Sequence, residues 1–443
     1  MSFLICGGVI VTANSNSDVL TNASLLIEDN HIVSIVPNDT NTRVSASEVI
    51  DAKNLVIIPG FIQAHIHLCQ TLFRGLADDL QLLDWLQLKI FPMEAAHDGN
   101  SMYISAKLGI GELIRSGTTT VLDMGSIYHE EEIVRAISET GIRACVGKAM
   151  MDVNHIYSSF KESTAESLKS TRDLAERWHN SFDGRIKYAV APRFVLSCTD
   201  RLMKDAYEMT NSFQGMLFHT HASENQIEIN KVRERCKMGN VEYLNHLGLL
   251  SDNSCIAHCV YINENEYSIL QSTRANVLHC PSSNLKLGSG IANIPWFLKG
   301  KINVSLGADG APCNNNLSMF QEMRTAALLQ KHLHGPTSIS AKTAFEMATI
   351  NGAKALGLEK EIGSIEVGKR ADLVLLDLER LWNPILSDNN VYSSIVYSSE
   401  PENVNSVMID GKWVYRRGEF LTLDEKKILS ESKVELKKLL QRV

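Results

Sequence analysis

Along most of the chain, short apolar runs alternate with longer stretches in which apolar residues recur every three to four positions. The short runs fall near 56–67, 118–123, 142–148, 186–191, 215–221, 254–258, 276–279 and 302–309. Between most of them lie segments of helical period, such as 101–115, 130–140, 199–211, 224–237 and 317–332. Short continuous apolar runs predict buried strands, and the 3.6-residue period predicts amphipathic helices. A strand followed by a helix and another strand implies parallel pairing, because the crossover returns the chain to the same end of the sheet. Eight such strands predict an α/β protein with a closed (β/α)8 barrel of TIM type. The competing architecture, an open doubly wound sheet, lacks the GxGxxG turn that would support it.

The two ends of the chain carry a different pattern. Residues 24–36 place a polar turn between two β-rich runs, and residues 407–415 centre a second hairpin on Asp410 and Gly411. One more apolar run, 371–378, reads as a buried strand, and 424–443 has leucines at helical spacing among lysines and glutamates. These elements predict a small β-sandwich built from both ends. Its N-terminal part is 1–59, its C-terminal part with a terminal helix is 366–443, and the barrel occupies 60–365 between them.

Composition narrows the picture without redirecting it. A chain of 443 residues exceeds what one core usually serves, in keeping with a barrel plus an accessory domain. With 44% hydrophobic and 21% charged residues it is neither disordered nor fibrous. A net charge of −8 argues against broad, phosphate-driven nucleic-acid binding. Nine scattered cysteines, an odd number with no CxxC pair, suggest reduced thiols and a cytoplasmic location. The N-terminus lacks a basic stretch, and its apolar run breaks at Gly7 and Gly8, so no signal peptide is expected. No window approaches the roughly 18 apolar residues that a membrane helix needs.

Chemistry in such a barrel belongs at the C-terminal ends of its strands. There the sequence places His65 and His67 on strand one, Arg193 after strand four, and His219 and His221 on strand five. His258, His279 and Asp309 end strands six, seven and eight. His65 and His67 are two apart, so their imidazoles share one face of the strand and can grip one divalent ion. Alone, an HxH pair is also a polar strand end. With His221, His258 and Asp309 at neighbouring ends, a nitrogen and oxygen site suited to zinc is the stronger reading. Glu224 lies three residues past His221, in a loop from which a carboxyl could contact a substrate ring and move protons. It is equally a first-turn acid favoured by a helix dipole. His219 shares a face with His221 and is assigned a supporting role.

These residues resemble a known family. PGFIQAHIH at 59–67 resembles the opening metal motif of the amidohydrolase superfamily. LFRGLADDL at 72–80, then Trp85, Leu86 and FPME at 91–94, are similar to its branch of aminohydrolases acting on purines, pyrimidines and triazines. HASE at 221–224, HCPSSNL at 279–285, GADG at 307–310 and GSIEVGKRADL at 363–373 continue the likeness in order. The resemblance implies one divalent metal, zinc with iron(II) as the alternative, held by His65, His67, His221 and Asp309. It implies Glu224 as proton shuttle and His258 as the group that orients and deprotonates the attacking water, with Asp309 also acting in catalysis. The lysine that bridges two metals in binuclear relatives is missing. The implied reaction is hydrolytic deamination, and its partner is a small aminopurine, with no nucleic acid or membrane involved. Relatives are commonly dimers or larger, so a homo-oligomer is expected.

Two sub-patterns bear on the substrate. Glu94 matches the position that binds ribose hydroxyls in adenosine-type deaminases, and it also reads as an exposed acid starting a helix. The segment 278–293 and the loop GAPCNNN at 310–316 look like the same group. Arg193 stands where those enzymes usually carry histidine. APRFVLSC at 191–198 resembles the guanine deaminases instead, and so does Gln70. An arginine fork suits a purine edge with adjacent acceptors, and it could equally close the barrel mouth in a salt bridge. An aminopurine nucleoside such as adenosine, 5′-deoxyadenosine, methylthioadenosine or S-adenosylhomocysteine is the leading expectation. Guanine is the second, and a chlorotriazine the third.

Overall fold

The computed structural model describes residues 2–37, 46–155, 157–383 and 390–443. The chain opens with strands β1 (Ser2–Val11), β2 (Val19–Glu28), β3 (His31–Pro37), β4 (Glu48–Asp51) and β5 (Leu55–Pro59). The first expected hairpin is β2–β3, antiparallel, with Asp29 at φ 53° in its turn. An aspartate tolerates that left-handed conformation at little cost.

The barrel strands are β6 (Phe61–His67), β7 (Thr118–Met124), β8 (Arg143–Gly147), β9 (Ala149–Met150) and β10 (Ile186–Pro192). They continue with β11 (Leu217–Ala222), β12 (Ser254–His258), β13 (Asn276–His279), β14 (Val304–Leu306) and β15 (Asp309–Gly310). Hydrogen bonds order them β14-β13-β12-β11-β10-β8-β7-β6-β15, with β9 extending the β8 side along β10. One short segment therefore pairs with β13 at its start and with β6 at its end, which closes the ring. The result is a (β/α)8 barrel. The apolar run expected at 56–67 is two strands rather than one, parted at Gly60. A Cβ at Gly60 would lie 2.0 Å from Thr119 Oγ1, so no side chain fits at that corner.

The helices between the strands begin where their caps dictate. Thr199 accepts from the Leu202 amide ahead of Asp200–Met209. Asn225 accepts from the Ile227 amide ahead of Gln226–Cys236.

Four strands follow the barrel: β16 (Leu373–Asp377), β17 (Val404–Ile409), β18 (Lys412–Arg416) and β19 (Glu419–Phe420). They join the first five in one mixed sheet ordered β19-β18-β17-β16-β5-β1-β2-β3, with β4 on β1. In a flat sheet β1 and β18 would stand roughly 19 Å apart at normal strand spacing. The Phe3 and Trp413 rings nevertheless meet at 6.2 Å, so the sheet folds over itself as a sandwich. Ile5, Leu25, Ile27, Ile57, Leu373 and Met408 fill its interior. At the β17–β18 turn both Asp410 (φ 52°) and Gly411 (φ 71°) are left-handed, the pairing that a tight hairpin needs.

The chain forms two compact units. One is Met1–Gln63, Gly111–Thr120 and Ser318–Leu423; the other is Ala64–Ile110, Val121–Leu317 and Asp424–Val443. These bounds differ from those expected at 59/60 and 365/366. The terminal helix Glu425–Leu440 belongs to the second unit, where Leu439 is fully buried in an apolar cluster that includes Leu72 and Phe73. Its leucine period marked an amphipathic helix but did not say which core would receive it.

Candidate active site

Within the second unit, the ends of β6, β11 and β15 bring His65, His67, His221 and Asp309 together, with one donor atom of each within 4.8 Å of every other. Backbone carbonyls set the direction of two of these rings. His67 Nδ1 donates to Met124 O at 2.7 Å, and His221 Nδ1 donates to Arg193 O at 2.7 Å. With the proton on Nδ1, each Nε2 presents a lone pair, and the two Nε2 atoms face each other at 3.3 Å. Two lone pairs that close repel unless a cation lies between them. Asp309 Oδ1 is 3.3 Å from both His65 Nε2 and His67 Nε2. Four donors bound at about 2.0–2.1 Å in a tetrahedron sit roughly 3.3–3.4 Å apart, so this donor set fits a divalent ion such as zinc. Burial pushes the His65 imidazole down to about 4, which keeps it neutral and able to ligate.

A further layer of contacts steers these groups. His219 is completely buried, with Nε2 2.8 Å from His65 Nδ1. Ser283 Oγ donates to Asp309 Oδ2 at 2.7 Å, and the Gly310 amide donates to Oδ1 at 2.8 Å. Asp309 adopts φ 64° and His258 φ 75°, conformations costly for residues with a Cβ and typical of sites where geometry outranks comfort.

Glu224 follows Ser223, itself at φ 55°. Its Oε2 lies 3.4 Å from His258 Nε2. Ser289 Oγ donates to its Oε1 at 3.4 Å. Burial raises the Glu224 carboxyl above its ordinary value, so it can hold a proton more readily than a surface glutamate. Burial works against a charged His258, but Glu224 and Asp309 outweigh it and raise the imidazole overall. His258 Nδ1 donates to Asn284 Oδ1 at 2.8 Å, which points Nε2 at the two carboxylates.

Three of the four expected substrate contacts, Gln70, Glu94 and Arg193, form one cluster. The Arg193 guanidinium grips Glu94 bidentately, Nη1 to Oε2 at 2.8 Å and Nη2 to Oε1 at 3.0 Å. Gln70 Nε2 donates to Glu94 Oε1 at 2.8 Å. Glu94 is 1% exposed, so it is not the surface acid that its position in the sequence also allowed. Arg193 faces the pocket as well, and its salt bridge partner is the other candidate. His279 is buried at the end of β13, and neither ring nitrogen has a hydrogen-bond partner among the described residues. Sequence reasoning did not single out Ser283, Asn284 or Ser289. Small polar residues just after a strand-end histidine were the available signal.

The profile of the amidohydrolase family matches residues 56–414. A 5′-deoxyadenosine deaminase of Methanothermobacter thermautotrophicus is 39% identical over 97% of this chain and 96% of its own. A 5-methylthioadenosine/S-adenosylhomocysteine deaminase of Acetivibrio thermocellus is 38% identical over the full length of both. Among solved structures, an adenosine deaminase from Xanthomonas campestris with bound zinc superposes with a TM-score of 0.93. It is 30% identical, covering 99% of this chain and 98% of that one.

Proposed function

The chain belongs to the amidohydrolase family, and on that premise we propose that it is a metal-dependent hydrolytic deaminase of aminopurine nucleosides. His65, His67, His221 and Asp309 hold one divalent ion, zinc by the fit of the donor set. The observation that carries the reading is the pair of facing Nε2 lone pairs on His67 and His221, 3.3 Å apart, with the Glu224 carboxyl beside His258 in the same pocket. The substrates are those of the relatives, 5′-deoxyadenosine, methylthioadenosine or S-adenosylhomocysteine, or adenosine itself.

A divalent ion held by His65, His67, His221 and Asp309 would supply Lewis acidity, which eases deprotonation of water near neutral pH. The protein's own groups do the rest. His258 orients the water and stabilises its loss of a proton, while Glu224 accepts that proton. The oxygen bonds to the amino-bearing ring carbon, and Glu224 passes the proton to the adjacent ring nitrogen. The second proton of the water reaches the amino group by way of His258 and Asp309. The carbon–nitrogen bond then breaks, ammonia leaves, and the ring keeps a carbonyl.

The test is an ammonia-release screen of the purified, zinc-loaded protein over adenosine, 5′-deoxyadenosine, methylthioadenosine, S-adenosylhomocysteine and guanine. Adenosine-type turnover that vanishes on chelation and returns with zinc is expected. Chloride release from a chlorotriazine without ammonia from any purine would overturn the reading, and guanine as sole substrate would move it to the base.

A further inference from the structure

The space beside the metal-binding cluster is about 30 Å³, room for roughly one or two waters. A nucleoside cannot be held there alone. Two of its walls, Leu86 and Phe194, are also walls of a second cavity of about 440 Å³, within the size range of small-molecule sites. Both cavities belong to the unit that carries the cluster.

The second cavity has a distinct chemistry. Leu83, Phe91 and Leu196 give it an apolar lining, and Lys231 and Arg235 stand at its edge. Those two cations are four residues apart on the helix Gln226–Cys236, so they share one face. Arg235 is fixed in place, donating to Val195 O at 2.7 Å and to Cys198 O at 3.1 Å, with Asp200 at 3.6 Å. Lys231 makes no ion pair or hydrogen bond among the described residues.

We infer that the cavity between Leu86, Phe194 and Lys231 receives the 5′ substituent of the nucleoside, and that Lys231 selects substrates whose substituent is an apolar linker ending in a carboxylate. The inference rests on the nucleoside reading above. Leu86 and Phe194 line both spaces, so a nucleoside whose purine lies against Glu224 has the second cavity on the other side of those two side chains. A thioether or alkyl chain matches the walls beyond them, and the unpaired ammonium at the rim complements an anion. Arg235 adds positive potential there but is already committed to carbonyls, so of the two cations on this helix face Lys231 is the one free to pair.

The test compares kcat/KM for S-adenosylhomocysteine, its decarboxylated analogue, methylthioadenosine and adenosine 5′-monophosphate in the native enzyme, Lys231→Met and Lys231→Glu. The ratio of S-adenosylhomocysteine to methylthioadenosine should fall about tenfold in Lys231→Met and further in Lys231→Glu, mainly through KM. The decarboxylated analogue should respond to neither variant as the carboxylate does. Equal loss on carboxylate and neutral tails, or an unchanged ratio, would overturn the assignment. A ratio for the monophosphate that falls as steeply would place the anion at C5′ and refute the linker. Failure of the nucleoside reading is separate, since it would abolish ammonia release from every purine in the native enzyme.

Discussion

Replacing His219 with phenylalanine tests the idea that one buried imidazole sets the metal affinity of another. For His65 to offer its Nε2 lone pair to a cation, its Nδ1 must carry the proton and give it to an acceptor. That acceptor is His219 Nε2 at 2.8 Å. Burial and the neighbouring imidazoles hold His219 well below its ordinary value, so it remains neutral and able to accept. Phenylalanine keeps the volume but leaves His65 Nδ1–H with no acceptor, an omission worth about 1–3 kcal/mol for a buried donor. Because that hydrogen bond strengthens as His65 donates to the cation, part of the loss appears as weaker metal binding. Partners behind metal-ligating histidines typically carry a factor of about 10–100 in affinity. Competition against a zinc-binding dye should therefore show a Kd raised about 10- to 100-fold. Turnover at saturating zinc should stay within about tenfold of native. His219→Gln, which restores an acceptor oxygen, should recover part of the affinity. A folded His219→Phe protein with native zinc affinity would refute the argument and reduce His219 to packing.

Three further expectations follow from other contacts. Glu224→Gln should keep its metal while losing about 10²–10⁴ in kcat, because the shuttled proton has no carrier; stoichiometric zinc with native turnover would remove Glu224 from that role. Arg193→Met should cost about 3–5 kcal/mol in denaturant unfolding, since Glu94 would be left as a buried carboxylate with Gln70 alone; a loss under 1 kcal/mol would count against the pair. Burial pushes the Asp123 carboxyl up to about 7, beside a Glu130 that burial also raises. The folded protein thus binds a proton that the unfolded chain has released. This stabilisation is complete below about pH 4 and is lost as pH rises through 7, at up to about 1.4 kcal/mol per pH unit. Asp123→Asn should flatten that slope in urea midpoints of metal-stripped protein at pH 5, 6 and 7, and identical slopes would rule the mechanism out.

The barrel was legible because parallel strands buried on both faces leave continuous apolar runs, and the helices between them must keep one polar face. Every expected barrel strand has its counterpart, from the run at 118–123 (Thr118–Met124) to the run at 302–309, which becomes two short strands. Periodicity could not show the break at Gly60, because the residues on both sides are equally apolar and the steric demand comes from Thr119, far along the chain. The receiving core of the terminal helix was hidden for the same reason: an amphipathic stripe states that a helix packs, not against what.

The site was legible to the extent that its chemistry is written in residue types at strand ends. Alternation puts His65 and His67 on one face whatever the rest of the chain does, and the barrel brings the ends of strands five and eight to them. What escaped was the direction of side chains, which depends on partners supplied by tertiary structure. Glu94 read as surface or ribose contact because nothing local shows that Arg193 reaches it across 99 residues of sequence. His258 points its Nε2 at Glu224 because Asn284 holds the opposite nitrogen and because the backbone accepts φ 75°. Asn284 is recognisable as functional only once the turn after His279 is folded beneath it. Left-handed backbone at His258, Ser223 and Asp309, none of them glycine, has no sequence signature. Each such residue is strained by about 1–3 kcal/mol, and all three lie at or beside the groups assigned to proton movement. Packing thus holds these groups in geometries their own sequence would not choose, which is why the ligands could be read from the chain while their orientation could not.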